Sequence, residues 1–484
     1  MDRRRFLQAG VFTAGGTASL PLLAQAAGAQ TAGTSPYGSI EGREPDENGL
    51  LLPEGFTSRI VAVSGDAVGN SSYEWHLFPD GAATFDDGEG GWYHTVNSEV
   101  FNAGLGGAGA IHYDADGNII DAYPVLTGST ANCGGGPTPW GTFLSGEEIF
   151  GSGGVIWEID PTGQTDAVAR PAMGIFPHEA AAVDPVREHV YLTEDMPDGR
   201  LYRFTPDSYP DLSSGLLEVM LVSADNAVSW VAVPDPTAAE TPTRLQVEES
   251  WVSSGGEGIW YHEDWIFWST KFTHTIHGVN IADATYTTLY AANAEDREAG
   301  TAVLTGVDNL TVDEGSGDIF VAEDGGNMEV VIITPDGEVA PFLRITGQDN
   351  SEVTGPVFNP RRDRLYFSSQ RGPTNKTLGE INPGIVSDDR FGGITYEVTG
   401  PFRGIEAPVV EEPEVPVGEE PAEVVETTTT TTVPAPTTTL AAVSDTSDND
   451  DDGGGSTGVI IGAGAVAVIV AGAGVIGLRR RGGS

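Results

Sequence analysis

Cysteine occurs once in this sequence, at Cys133, and lysine only twice, at Lys271 and Lys376. A lone thiol excludes any disulfide within the chain, so stability in an oxidising compartment has to come from core burial. Cations as a class are scarce: 23 Lys and Arg stand against 71 Asp and Glu, for a net charge of -48. The long-range field of such a chain repels phosphate backbones and argues against nucleic acid as a partner. Long helical periodicity is almost absent from residues 40–405, where short β-rich runs bounded by Gly, Asp and Pro recur instead. That leaves an all-β domain.

What is present divides the chain into unlike parts. Asp2-Arg3-Arg4-Arg5-Phe6-Leu7 precedes an apolar stretch too short to span a bilayer, and small residues follow at Ala24-Gln25-Ala26. A charged region, an apolar region and a cleavage site in that order predict a twin-arginine (Tat) signal over residues 1–29. This route carries proteins already folded. Residues 459–478 are apolar or Gly throughout and Arg479-Arg480-Arg481 follows at once. Twenty helical residues span about 30 Å, so residues 458–478 are expected to form a single transmembrane helix, with residues 479–484 as a cytoplasmic basic tail. Residues 406–457 hold Pro-Glu repeats, Thr runs and an acidic cluster, a composition that predicts a solvated, disordered stalk. The domain at residues 40–405 is thereby expected outside the cell, held to the membrane by the C-terminal helix. With 13 of the 71 acidic residues in the stalk, the domain itself stays strongly acidic. Either adaptation to salt or the binding of cations such as calcium accounts for that.

Six repeats emerge when the β-rich runs are aligned. In each, a strand ends in polar residues, a loop follows, and the next strand ends in a tight turn. The polar ends fall at positions 99, 148, 195, 271, 324 and 370. Apart from one longer insertion before position 271, this spacing is that of four-stranded propeller blades of about 40–50 residues, and it predicts a six-bladed β-propeller, with a pair of β-sandwiches as the alternative. Upstream of each apolar strand a polar residue recurs at one repeat phase. In a propeller, equivalent positions of successive blades surround one axis, so Cys133, Glu179, Glu257, Asp308 and Glu352 are expected to converge. Carboxylates gathered at one place repel one another unless a cation or protons neutralise them. A metal site is the economical explanation; the alternative is that each acid caps a loop by accepting backbone N–H bonds.

At these residues the chain resembles the PhoX-type alkaline phosphatases, a family of exported six-bladed propellers, over residues 52–402. The resemblance is carried by Cys133-Gly134-Gly135-Gly136-Pro137-Thr138-Pro139-Trp140, by His178-Glu179-Ala180-Ala181-Ala182-Val183-Asp184-Pro185, by Tyr191-Leu192-Thr193-Glu194-Asp195 and by Ser351-Glu352-Val353-Thr354-Gly355-Pro356. It implies a cofactor of Fe3+ and Ca2+ ions and a small phosphate monoester as substrate. By the same resemblance Cys133 is a thiolate ligand of iron, a soft donor among hard carboxylates. Glu179, Glu257, Asp308 and Glu352 share the remaining coordination, Glu99 and Glu323 are further members, and Asn97 is a phosphate contact. Two departures stand out. The family's Asn-His-Glu segment reads Asn97-Ser98-Glu99, and its Arg-Pro-Glu-Trp segment reads Gly255-Gly256-Glu257-Gly258, without the arginine. Lys271 or Arg371, both at repeat strand ends, are the candidates to replace that cation. A calcium-dependent lactonase or esterase propeller and a non-catalytic surface-binding propeller with structural calcium are the competing functions. A thiolate has no role in lactonase chemistry, and turnover separates both enzymes from the binding module.

Overall fold

The computed structural model describes residues 33–404 apart from residue 152. The segments expected to be signal, stalk and anchor lie outside the described residues, and among the described residues no helix is long and apolar enough to cross a membrane. Within them the chain forms six antiparallel sheets, four of four strands and two of five, with only two short α-helices, Ala294–Ala299 and Leu378–Ile381. The innermost strands of blades one to six are Pro79–Asp86, Asn132–Pro137, His178–Asp184, Gly256–His262, Val307–Val312 and Val353–Phe358. Each of them contacts the next around a closed ring, the sixth returning to the first. The six-bladed propeller is therefore the fold, and the sandwich alternative falls.

Closure is made by the chain itself. Thr57–Val63, from ahead of blade one, adds to the outer edge of blade six by pairing antiparallel with Ile394–Thr399. A strand from ahead of blade one and the last strand of the domain thus share one sheet, which removes the weak point of a ring of separate blades. Arg364 binds Oε1 of the buried Glu397 and Arg59 binds Oε2, to which Tyr366 also donates at 2.7 Å.

The core follows from the blade geometry. Successive residues of a strand point to opposite faces of its sheet. In a propeller each face meets a neighbouring blade, so both faces are buried and strands read as near-continuous apolar runs. Ile319 and Val321 pack toward blade four, while Phe320 and Ala322 pack toward blade six. Leu365 and Phe367 face blade five, and Tyr366 between them faces blade one. Six clusters of buried apolar side chains fill the six interblade spaces. The largest includes an edge-to-face nest of Tyr37, Phe56, Phe342 and Phe402.

Candidate metal centre

One irregularity recurs in every blade. The pairing of the innermost strand with the second slips by one residue at Pro79/Ala82, Asn132/Gly135, His178/Ala181, Gly256/Ile259, Val307/Leu310 and Thr354/Val357. Each slip is a β-bulge with an extra residue on the inner strand, and a bulge re-aims the side chain it carries. The first bulged residues of blades one to five are Asp80, Cys133, Glu179, Glu257 and Asp308. They converge on one end of the propeller axis.

Glycine makes the convergence sterically possible. A side chain at Gly134 would lie 2.6 Å from Glu179 Oε1, and one at Gly355 would lie 2.3 Å from the Asp80 carbonyl oxygen. Gly355 also sits at φ +58° and donates its N–H to Asn309 Oδ1 at 2.7 Å. With no Cβ to accommodate, neighbouring inner strands approach until their carboxylates meet.

The ends of the second strands add an outer set. Glu99, Glu148, Lys271, Asp324 and Gln370 line, with Asp80, Cys133, Glu257, Asp308 and Glu352, a cavity of about 40 Å³. Ligand atoms come within 4.8 Å of one another in three overlapping groups: Asp80, Glu99 and Cys133; Cys133, Glu148 and Glu179; Glu179, Glu257 and Asp308. All seven are buried. The Cys133 thiol lies 3.5 Å from Glu99 Oε1. Gln370 Nε2 donates to both Asp80 and Glu99, holding those carboxylates in place.

The electrostatics of this cluster are unbalanced. Burial, and then the Glu99 charge, raise Asp80 to about 7. Burial pushes Glu148, Glu179, Glu257, Asp308 and Glu352 well above the usual carboxylate range. The Cys133 thiol is pushed up by burial and then by Asp80 and Glu179. Among the described residues, two cations reach the cluster. Lys271 Nζ is 2.6 Å from Asp195 and 2.7 Å from Glu257, and Arg371 Nη1 is 2.6 Å from Glu352. Glu179 Oε2 and Asp195 Oδ1 are buried with no hydrogen-bond partner. Orphaned oxygens, a thiol and an excess of carboxylates over cations fit a site for bound metal ions, with oxygen donors for hard ions and sulfur for a softer one.

The structure brings together Cys133, Glu179, Glu257, Asp308, Glu352 and Glu99, and it relocates two of the expected residues. Glu323 ends its strand on the side away from the cavity, where it accepts from the N–H groups of Thr305 at 2.8 Å and Glu329 at 3.3 Å. It caps a loop, and its neighbour Asp324 takes the place at the cavity, because one residue along a strand reverses the side chain's direction. Asn97 is fully buried with its amide spent on the scaffold: Nδ2 donates to the carbonyls of Cys133 and Gly134, and Oδ1 accepts from Ser145. It positions the Cys133 bulge and has no group left for phosphate. Glu352 reaches the cavity from outside the repeat phase, since the bulge of blade six falls at Gly355 and Pro356. Asp80 holds the corresponding place in blade one. The signal for it was the acid-Gly pair Asp80-Gly81, which matches Cys133-Gly134 and Glu257-Gly258. Glu148, Asp195 and Asp324 stood among the polar strand ends that defined the repeat.

The model of the alkaline phosphatase PhoX family matches residues 102–255, a segment that includes Cys133, Glu148 and Glu179. No curated protein matches the sequence. Among solved structures, PhoX of Pseudomonas fluorescens in complex with vanadate, a transition state analogue, superposes with a TM-score of 0.58 at 16% identity, covering 74% of this chain and 98% of that one. A gluconolactonase from Xanthomonas campestris gives a TM-score of 0.41 at 13% identity, covering 78% and 99%. The chain thus carries a segment similar to the alkaline phosphatase PhoX family around its cysteine, on a propeller of the same fold as PhoX.

Proposed function

We propose that the chain hydrolyses small phosphate monoesters at an iron and calcium centre built on the axial bulges, on the outer side of a membrane to which it is tethered. The observation that carries the proposal is the convergence of Cys133 with Asp80, Glu99, Glu148, Glu179, Glu257 and Asp308 in a buried space whose acids outnumber the cations that reach it. A thiol in that cluster favours this reading over a calcium-dependent lactonase, and its burial against charged groups favours it over a binding module with a simple structural ion. The twin-arginine signal and anchor expected from the sequence suit a protein that assembles its centre before export.

Cys133 would hold iron, with Asp80, Glu99, Glu148 and Glu179 within reach of the same ion, while Glu257, Asp308 and Glu352 supply oxygen donors for the remaining ions. When bound, the ions supply Lewis-acid chemistry toward the phosphoryl oxygens. The protein's own part is positioning and charge. Lys271 balances Glu257 and Asp195 where the family's arginine is absent. Arg371, with 43% of its side chain exposed and one nitrogen on Glu352, stands at the rim as the cation for an incoming phosphate. His178, beside Glu179 in the chain, takes no part: it packs against Phe176, donates Nε2–H to the Gly174 carbonyl and is held neutral by burial, at about 3.

The test is to record the visible spectrum and metal content of the purified protein, then measure p-nitrophenyl phosphate hydrolysis before and after chelation. Cys133→Ala should remove the visible band and the iron together. A colourless, iron-free protein that releases no phosphate would sink the proposal.

A further inference from the structure

Large apolar side chains gathered in the open around a polar cavity mark a candidate ligand contact. Three of them sit immediately beyond residues that line the metal-centre cavity. Phe101 follows Glu99 by two residues, Phe150 follows Glu148 by two, and Phe272 follows Lys271 directly. These phenylalanines are 52%, 51% and 52% exposed. Phe101 and Phe150, from different blades, stack on each other with centroids 6.1 Å apart and planes 9° from parallel. The loops that carry them are stitched together: Ala131 donates its N–H to the Val100 carbonyl at 2.9 Å and accepts from the Glu148 N–H at 2.8 Å. Across the cavity, the Phe272 ring lies 5.9 Å from Lys271 Nζ, the same nitrogen that holds Glu257.

From this arrangement we infer that the three phenylalanines form an aromatic rim that selects phosphate esters of flat aromatic or heterocyclic alcohols, aryl phosphates and nucleoside monophosphates, over those of small aliphatic alcohols. The inference rests on the phosphatase reading and adds the class of leaving group to it. A phosphoryl group held at the cavity must direct its alcohol portion outward, past Glu99, Glu148 or Lys271, which is where the rings stand. Exposed aromatic faces bind flat π-systems by stacking, and the contact tolerates different rings because each has a π-face. An aliphatic polyol gains nothing comparable there. The rings are also held before substrate arrives, so little ordering cost opposes binding.

The test compares kcat/KM for phenyl phosphate and adenosine monophosphate with that for glycerol phosphate, using the metal-loaded full chain and the variants Phe101→Ala/Phe150→Ala and Phe272→Ala. Taking the ratio of variant to wild type for each ester cancels the different intrinsic reactivity of the leaving groups. The expected result is a loss of about tenfold, equivalent to about 1.4 kcal/mol, for the two aromatic esters, with glycerol phosphate unchanged within about twofold. Phe101→Tyr/Phe150→Tyr should restore the preference. An equal fall for all three esters, or no change for any, overturns the rim. If the loaded wild type cleaves none of them, the phosphatase reading fails separately, and equilibrium dialysis decides the rim. Phenyl phosphate should then bind more tightly than inorganic phosphate, with the difference lost in the variants; equal affinities overturn it.

Discussion

Lys271 carries the sharpest energetic expectation. Its ammonium touches two carboxylates, Asp195 at 2.6 Å and Glu257 at 2.7 Å, each with only 4% of its side chain exposed. Lys271→Met keeps most of the stem's packing and removes the charge, leaving two buried acids that already face Glu179 and Asp308. Removing one partner of a buried ion pair costs about 3–5 kcal/mol. Because the Lys271 side chain is itself 30% exposed, the lower figure applies, about 3 kcal/mol. With a urea m-value of about 3 kcal/mol/M, the unfolding midpoint of the chelated protein should fall by about 1 M. In metal-loaded protein the same substitution should cost less than half as much, since bound cations neutralise the same oxygens. Lys271→Arg should hold the midpoint near wild type, and adding Glu257→Gln to Lys271→Met should recover part of the loss through a coupling above about 1 kcal/mol. A midpoint for Lys271→Met within about 0.3 M of wild type in the chelated state would refute the reasoning. An equal loss with and without metal would refute the claim that cations share these carboxylates.

Three further outcomes follow from particular contacts. Gly355→Ala places a Cβ 2.3 Å from the Asp80 carbonyl on a backbone at φ +58°; chelated and loaded protein should both lose about 2 kcal/mol or more in urea unfolding, and iron content should drop. Phe320→Ala empties a fully buried site among Tyr37, Phe342 and Phe358, and should cost about 3–5 kcal/mol without changing the visible spectrum. His262 donates to Glu314 at 3.0 Å. Burial alone would hold its imidazole down, but the carboxylate bond overrides it, so the folded pKa lies above 6.5. A raised folded pKa stabilises fully below the unfolded value and is lost as pH rises through the folded one. The stability difference between wild type and His262→Gln should therefore shrink as pH is raised from 6 toward 9, and a difference that grows over that range would contradict the pairing.

How much of this was legible in the residues varies by element. The six strand repeats were readable because a blade has the same strand-turn-strand grammar each time, and turn residues such as Asp, Pro and Gly announce its ends. The near-continuous apolar runs, Ile319-Phe320-Val321-Ala322 for example, fit strands buried on both faces, yet nothing in the run says which neighbour each residue meets. Cys133, Glu179, Glu257 and Asp308 are legible where a polar residue interrupts the pattern at a constant phase, and the structure places them in one cluster with Glu99 and Glu352. Glu323 and Asn97 went astray for reasons local sequence does not contain. The direction of Glu323 depends on where its strand ends, and the amide of Asn97 is used by backbone carbonyls of the next blade, 36 and 37 residues away.

By itself the sequence determined that the chain has no disulfide, that the domain is all-β in six repeats, and that thiol and acid side chains recur with the repeat. Those properties reside in composition and short-range pattern. Only the tertiary structure decided that the recurring acids sit on β-bulges, that glycines let the bulges close on one axis, and that Asp80 joins them while Glu323 does not. The physical reason is that convergence on an axis is a property of the closed ring. One residue of register turns a ligand into a loop cap, and the register is set by pairing between strands and blades.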